Sequence, residues 1–316
     1  MNMHGYAFVM TPIDLLDGEG TEIAPKHRLV RASDFQIEEI KRFFERLIPP
    51  MQAFRPSPYE HDVRSVREKP GHTTYHYDPL PRSKWRYWII QFEGTNSHVH
   101  VLEQACSLIP MHFEFGLEAV FGFQPQGPSF GWHQSTIEKY LVGDPATLRP
   151  KQIRREDLAS IRQNFEDIEA LPDVYPHIKR ALHRYAQLNV VPQQSELLLI
   201  GLVSVVESLV SHAPKLTESA DSLSHQLRTK IPLLRKRYKD QLDHENIFPG
   251  MNEEKLWTRI YSYRSKIVHG EDSKLSGDLQ ALGGQRAVVD FLRETIKRLL
   301  RLALSEPQFM TDIKLI

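Results

Sequence analysis

At 316 residues the chain is longer than one minimal core requires and fits two domains. Its 40 Lys+Arg are matched by 40 Asp+Glu, which excludes a strongly basic nucleic-acid coat protein but leaves room for a local basic patch. Apolar residues at 41% and charged residues at 25% are globular proportions, which excludes a disordered or fibrous chain.

The N-terminus, Met1 to Gly5, lacks a basic patch followed by an apolar core, so no secretory leader is expected. Residues 1–145 read as an α+β domain. Tyr6–Met10 and Trp85–Phe92 are aromatic and β-branched runs suited to strands, and Asp17-Gly18-Glu19-Gly20 is turn chemistry. A helix is predicted over Asp34–Leu47, with Ser33 at its cap and Gln36 at the reciprocal position. Phe35, Ile40, Phe43, Phe44 and Leu47 form its apolar stripe, and Pro49-Pro50 ends it. Residues 52–84, rich in Pro, His, Arg and Tyr without periodicity, read as a long loop. Cys106 is the one cysteine, so neither a disulfide framework nor a thiolate zinc site is available within one chain. Its apolar neighbours give it the character of a core thiol.

A domain boundary is expected between Gly143 and Pro150, where proline clusters and strand signals end. Beyond it, residues 151–316 read as an all-α bundle of five or six helices. The predicted helices are Arg155–Ala170, Tyr175–Leu188, Gln193–Ser211, Ser219–Tyr238, Asn252–His269 and Gln285–Leu304. Gln193–Ser211 is apolar around most of its circumference, which marks the buried centre of a bundle. No window approaches 18 uninterrupted apolar residues, so no membrane partner is expected. With the single cysteine, this reads as a soluble cytoplasmic protein.

The segment Tyr261-Ser262-Tyr263-Arg264-Ser265-Lys266-Ile267-Val268-His269-Gly270 carries the densest chemistry. By itself it has the form of a helix C-terminus: cations in the last turn, where the dipole is negative, followed by a glycine stop. A functional reading stands beside the structural one. Arg264 offers a permanently charged planar fork for phosphate oxygens, and histidine is the side chain that exchanges protons near neutral pH.

Arg264, four intervening residues and His269, near the end of a late helix, resemble the motif of the HEPN family. The phrase Arg-Ser-Lys-Ile-Val-His-Gly resembles its Apea-like branch. Val206-Glu207-Ser208-Leu209 in an apolar helix resembles that branch too, as does Ser224–Lys230 leading into the apolar turn Ile231-Pro232-Leu233-Leu234. The likeness covers roughly residues 173–304. Many members place Asn, Asp or His directly after the Arg, where this chain has Ser265.

The resemblance implies an HEPN-like helical bundle acting as a metal-independent endoribonuclease. The RNA 2′-hydroxyl attacks the neighbouring phosphorus, Arg264 stabilises the charge and His269 transfers protons, without a metal or other cofactor. Positions five apart lie about 140° apart around a helix; the resemblance implies a homodimer, whose shared cleft eases that separation. Ser265, Lys266, Glu207, Arg228 and Tyr261 are supporting or RNA-binding candidates; Glu207 reads as either a buried partner for a cation or a surface residue on a narrow polar edge, and the resemblance places it near the cleft, orienting Arg264. The basic run Arg235-Lys236-Arg237 with Lys239 fits either backbone phosphates or a solvated helix end. Proteins resembling this arrangement act as toxins or anti-phage effectors, with a sensing domain gating a nuclease; here residues 1–145 would answer a trigger ligand or protein. The alternative is a non-catalytic HEPN-like module that binds nucleotide, RNA or a protein.

His72-x3-His76, on a helical turn, and His98-x-His100, on a strand face, are the weak metal candidates; neither has a third ligand at a diagnostic spacing. No phosphate-cradling glycine loop is present.

Overall fold

The computed structural model describes residues 4–17, 19–47, 57–69, 72–93, 96–110, 115–121, 129–132, 149–213, 222–240, 242–272 and 275–316. The N-terminal region carries strands and the C-terminal region is helical. The chain forms two compact units, Met1–Glu166 and Asp167–Ile316.

The first unit contains β1 (His4–Val9), β2 (Ile13–Leu15), β3 (Glu22–Ala24), β4 (His27–Arg31), α1 (Asp34–Leu47), β5 (His61–Lys69), β6 (His72–Pro79), β7 (Trp88–Glu93), α2 (Asn96–Ser107), β8 (Phe115–Phe121), β9 (Ser129–Trp132) and β10 (Lys151–Ile153). Six strands pair in the order β3-β4-β7-β1-β8-β9, with antiparallel neighbours. β10 joins β2 in parallel, and β5 pairs with β6.

β1 lies inside the sheet, and both its faces are buried: Tyr6, Ala7, Phe8 and Val9 expose nothing. Alternation along a strand sends Tyr6 and Phe8 to one face, where they pack with Ile37, Ile40 and Phe44 of α1 and with Tyr59 and Tyr87. The predicted reciprocal cap holds α1 in place. The Ser33 backbone N–H donates to Gln36 Oε1 (2.8 Å), and the Gln36 N–H donates to Ser33 Oγ (3.4 Å). Phe35 is 60% exposed, against expectation, because it lies about 140° around the helix from Ile40. Pro49-Pro50 and Gly18 lie outside the described residues.

Residues 52–84 do not form a single loop. Their described part includes the β5–β6 ribbon, with Val63 opposite Tyr77 and Ser65 opposite Tyr75. Among its described side chains the ribbon buries only Val63, so no apolar alternation reveals it. Arg86 ties its base to β2. That side chain is 7% exposed and reaches Asp14 (2.7 Å), Asp62 (2.5 Å) and the His61 carbonyl (3.2 Å).

The two units divide inside α3 (Arg155–Ala170), later than the 145/151 boundary expected; residues 143–148 lie outside those described. Packing accounts for the difference. Asn164 of α3 donates to the Ala105 carbonyl of α2 (3.2 Å), and the Phe165 ring lies 5.7 Å from that of His27.

The second unit continues with α4 (Pro176–Gln187), α5 (Glu196–Val210), α6 (Leu223–Arg235), α7 (His244–Ile247), α8 (Glu253–Val268), α9 (Gln285–Ser305) and α10 (Pro307–Leu315). The short α7 and the terminal α10 go beyond the expected helices. α5 is the central helix, as its all-round apolar sequence predicts, and α4, α6, α8, α9 and α10 all pack on it. Pro232 lies inside α6 and not in a turn after it. Lacking an N–H, it leaves the Arg228 carbonyl without its helical donor. Among the described residues no helix is long and apolar enough to cross a membrane.

Candidate functional site

The Arg264 segment is built on α8. Asn252 caps its start by accepting from the Lys255 N–H (2.9 Å), and Glu253 and Glu254 face the positive end of the dipole. Leu256, Trp257, Ile260 and Tyr263 form the buried stripe. At the other end the Gly270 N–H donates to the Ile267 carbonyl (3.1 Å) and the Glu271 N–H to the Lys266 carbonyl (2.9 Å), with Gly270 at φ +68°. These two bonds make a Schellman cap. The glycine is there because the chain turns left-handed at that residue.

Arg264 sits at the edge of the buried stripe, its side chain 22% exposed. Its Nη2 lies 3.8 Å from Oε2 of Glu207, which is 14% exposed on α5. The sequence left Glu207 open between a cation's partner and a narrow polar edge; it is Arg264's partner. Burial raises the Glu207 carboxyl above its ordinary range, and the Arg264 charge opposes that rise without cancelling it. The pair is loosely made. Glu207 Oε1 and Arg264 Nε are both buried without a hydrogen-bond partner, so this is not the bidentate fork of a tight arginine–carboxylate pair. The Tyr261 ring lies 5.7 Å from Arg264 Cζ on the same helical face, whereas Tyr263 is core.

The other candidates fall into separate places. Arg228 on α6 contacts Glu254 (3.4 Å) and His225 Nδ1 (3.0 Å) and makes no hydrogen bond or ion pair to Arg264. The carbonyls of Ser265 and Lys266 accept from the His269 and Glu271 N–H groups in the helix end, and both side chains are half-buried. His269 is the C-cap residue and is exposed. Within one chain no hydrogen bond or ion pair joins it to Arg264 among the described residues, in line with the angle between their positions.

Glu254 and Trp257 were not singled out from the sequence, yet they continue the Tyr261–Arg264 face at helical spacing. Trp257 is fully buried with its Nε1 unpartnered, and Glu254 holds Arg228. A periodic reading backwards from Arg264 finds both residues.

Of the basic run at the end of α6, the two arginines are engaged by neighbouring side chains, whereas Lys236 and Lys239 are exposed. Arg235 reaches His244 Nδ1 (2.6 Å) and Glu253 (3.2 Å), and Arg237 reaches Glu306 (2.7 Å). Cys106 is fully buried, and burial pushes its thiol well up. The histidine pairs are placed otherwise than their spacings suggested. His72 and His76 lie on strand β6, where positions four apart are about 13 Å apart. His98 and His100 lie on helix α2, about 160° apart around its axis. Among the described residues no group of three or more His, Cys, Asp or Glu is placed to hold a metal ion.

No family model matches the chain, and neither a curated protein nor a solved structure matches it.

Proposed function

We propose that the helical unit is a metal-independent endoribonuclease of HEPN type, active as a homodimer. The observation that carries this reading is the setting of Arg264. Its guanidinium is held at the edge of the core by Glu207, flanked by Tyr261 and still partly exposed, while His269 stands exposed at the end of the same helix. An Arg fork on the non-bridging phosphate oxygens offsets the charge of the phosphorane. One histidine takes the proton of the 2′-hydroxyl as its oxygen attacks phosphorus. A second gives a proton to the departing 5′-oxygen, leaving a 2′,3′-cyclic phosphate. A homodimer supplies both histidines and removes the angular mismatch within one helix. Ser265, Lys266 and Arg228 would lie along the RNA backbone. In this reading the protein is a cytoplasmic toxin or anti-phage effector, gated by a trigger that acts on the first unit.

The test is RNA cleavage in EDTA by the full chain, wild type against Arg264→Ala and His269→Ala. Cleavage that leaves 2′,3′-cyclic ends and is lost in both variants supports the proposal. Cleavage that survives in both overturns it.

The second reading is a non-catalytic RNA- or nucleotide-binding module, favoured by one observation: the Arg264 charge is already shared with a buried carboxylate. Binding of RNA without cleavage, at every RNA and trigger tried, selects that reading.

A further inference from the structure

α4 and α10 are anchored together at their starts, where the Tyr175 hydroxyl bonds to Gln308 Oε1 (3.2 Å). Running on from there, α4 places His177, Arg180 and Arg184 on one face, at spacings of three and four residues. α10 brings up Lys314, whose ammonium donates to the Ser208 carbonyl near the C-terminal end of α5. Two further cationic or titratable groups close around the same helix end. Lys230 Nζ donates to the Val210 carbonyl (3.1 Å) and to the Lys314 carbonyl (3.4 Å), and His212 Nδ1 lies 3.1 Å from the Lys314 carbonyl.

Lys179, next in sequence, pairs with Asp173 (2.6 Å), and elsewhere in the unit Arg237, Arg298 and Arg301 all meet carboxylates. Among the described residues no carboxylate pairs with Arg180, Arg184 or Lys314. Both arginines are exposed, and His177 Nε2 is buried without a partner. Burial, then Arg180 and Arg184, hold the Lys314 ammonium below its ordinary range; burial, then Lys314 and Arg180, do the same to His177. Arg184 in the last turn of α4 and Lys314 at the end of α5 each meet the negative end of a helix, while Arg180 and Arg184, four apart on α4, repel each other.

We propose that the α4 face of His177, Arg180 and Arg184, together with Lys314, is a binding site for a phosphate-bearing ligand. The two arginines supply planar forks for phosphate oxygens and Lys314 a point charge beside them. Phosphate reaches such a face either as a small free anion or as the backbone of a nucleic acid. The site does not depend on the nuclease reading of Arg264.

The experiment titrates the full chain with inorganic pyrophosphate and, separately, with a short 2′-O-methylated single-stranded RNA that resists 2′-hydroxyl attack. Wild type is compared with Arg180→Gln/Arg184→Gln and, as a surface control, Lys255→Gln. The double variant is expected to weaken binding at least about tenfold at low salt. It should also lower the slope of log affinity against log salt by about 0.7 for each RNA phosphate that is no longer neutralised. The control should change neither, and Arg180→Lys/Arg184→Lys should keep most of the binding. Saturation by pyrophosphate identifies a small phosphate ligand, and binding of RNA alone identifies the backbone. Binding of neither probe, or equal binding by the double variant, overturns the proposal. RNA binding abolished in Arg264→Ala but intact in the double variant overturns it too, while sparing the Arg264 reading.

Discussion

Glu207 on α5 and Arg264 on α8 face each other across 3.8 Å, both largely buried, and each keeps one buried polar atom without a partner. This is a costly arrangement. The arginine cation only partly offsets the desolvation of the carboxylate, whose ionised form remains disfavoured in the fold.

That imbalance makes the two truncations unequal. Glu207→Gln removes the group that is costly to bury, so its folding stability should stay within about 1 kcal/mol of wild type. Arg264→Met strands a buried carboxylate and should cost about 1–3 kcal/mol at neutral pH. Because the Glu207 pKa is raised in the folded state, the penalty is absent once the carboxyl is protonated in both states. It grows as pH rises through the folded value. Urea unfolding at pH 4.5 and 7.5 measures it. Equal destabilisation by Arg264→Met at both pH values would contradict a charge contact with Glu207.

The glycine ending α8 gives a cleaner test, because a Cβ added at Gly270 meets nothing within 4 Å. Any cost of Gly270→Ala is therefore backbone strain at φ +68° and not a clash. The expected loss is about 1 kcal/mol, with Gly270→Asn recovering part of it, since Asn tolerates the left-handed region better. Denaturant midpoints of the three proteins decide this, and an unchanged midpoint for the alanine variant would show that the Schellman cap is not maintained in solution.

How far the sequence reveals these features depends on the range of the interaction behind each. The Ser33–Gln36 cap and the all-round apolar α5 are local, and both are legible because their physics lies within a few turns of chain. The β5–β6 ribbon escapes a periodic reading because backbone pairing holds it, with Val63 alone clearly buried among its described side chains. Helix geometry alone would have excluded Phe35 from the apolar stripe. At the candidate site, Arg264 and His269 stand out in one short phrase. The Glu207 contact depends on how α5 packs on α8, and an acid late in an otherwise apolar helix is its sequence trace. Arg228 illustrates the limit: His225, three residues back on α6, is a neighbour that helical spacing gives, whereas Glu254 follows from the α6–α8 contact, which no spacing in the sequence announces.

Arg86 should resist conservative replacement. Its guanidinium serves Asp14, Asp62 and the His61 carbonyl at once, joining β2 to the base of the β5–β6 ribbon. Arg86→Met leaves two partly exposed carboxylates close together without their cation and is expected to cost about 2–3 kcal/mol. Arg86→Lys keeps the charge but cannot reach all three acceptors, so it should recover less than half of that loss. Chemical denaturation of the two variants tests this, and full recovery by lysine would mean that charge alone, not the fork, holds the junction.

His27 gives the first unit a pH dependence of definite sign. The side chain is 1% exposed, its ring packs near those of Phe92, His98 and Phe165, its Nδ1 lies 2.8 Å from the Pro25 carbonyl, and its Nε2 is buried without a partner. A neutral ring that donates from Nδ1 fits this setting. Burial, reinforced by His98, lowers its pKa below the ordinary 6.5, against the Pro25 hydrogen bond and Glu22, which favour the cation. The unfolded chain therefore takes up a proton first as the solution is acidified. The stability owed to the neutral ring is fully present above pH 6.5 and is lost as pH falls below that value. Unfolding measured at pH 7.5 and 5.5 should show a loss on acidification that shrinks in His27→Gln, which cannot take up the proton. If the wild type and the glutamine variant lose the same stability between those two pH values, the loss arises elsewhere in the chain and His27 is not its source.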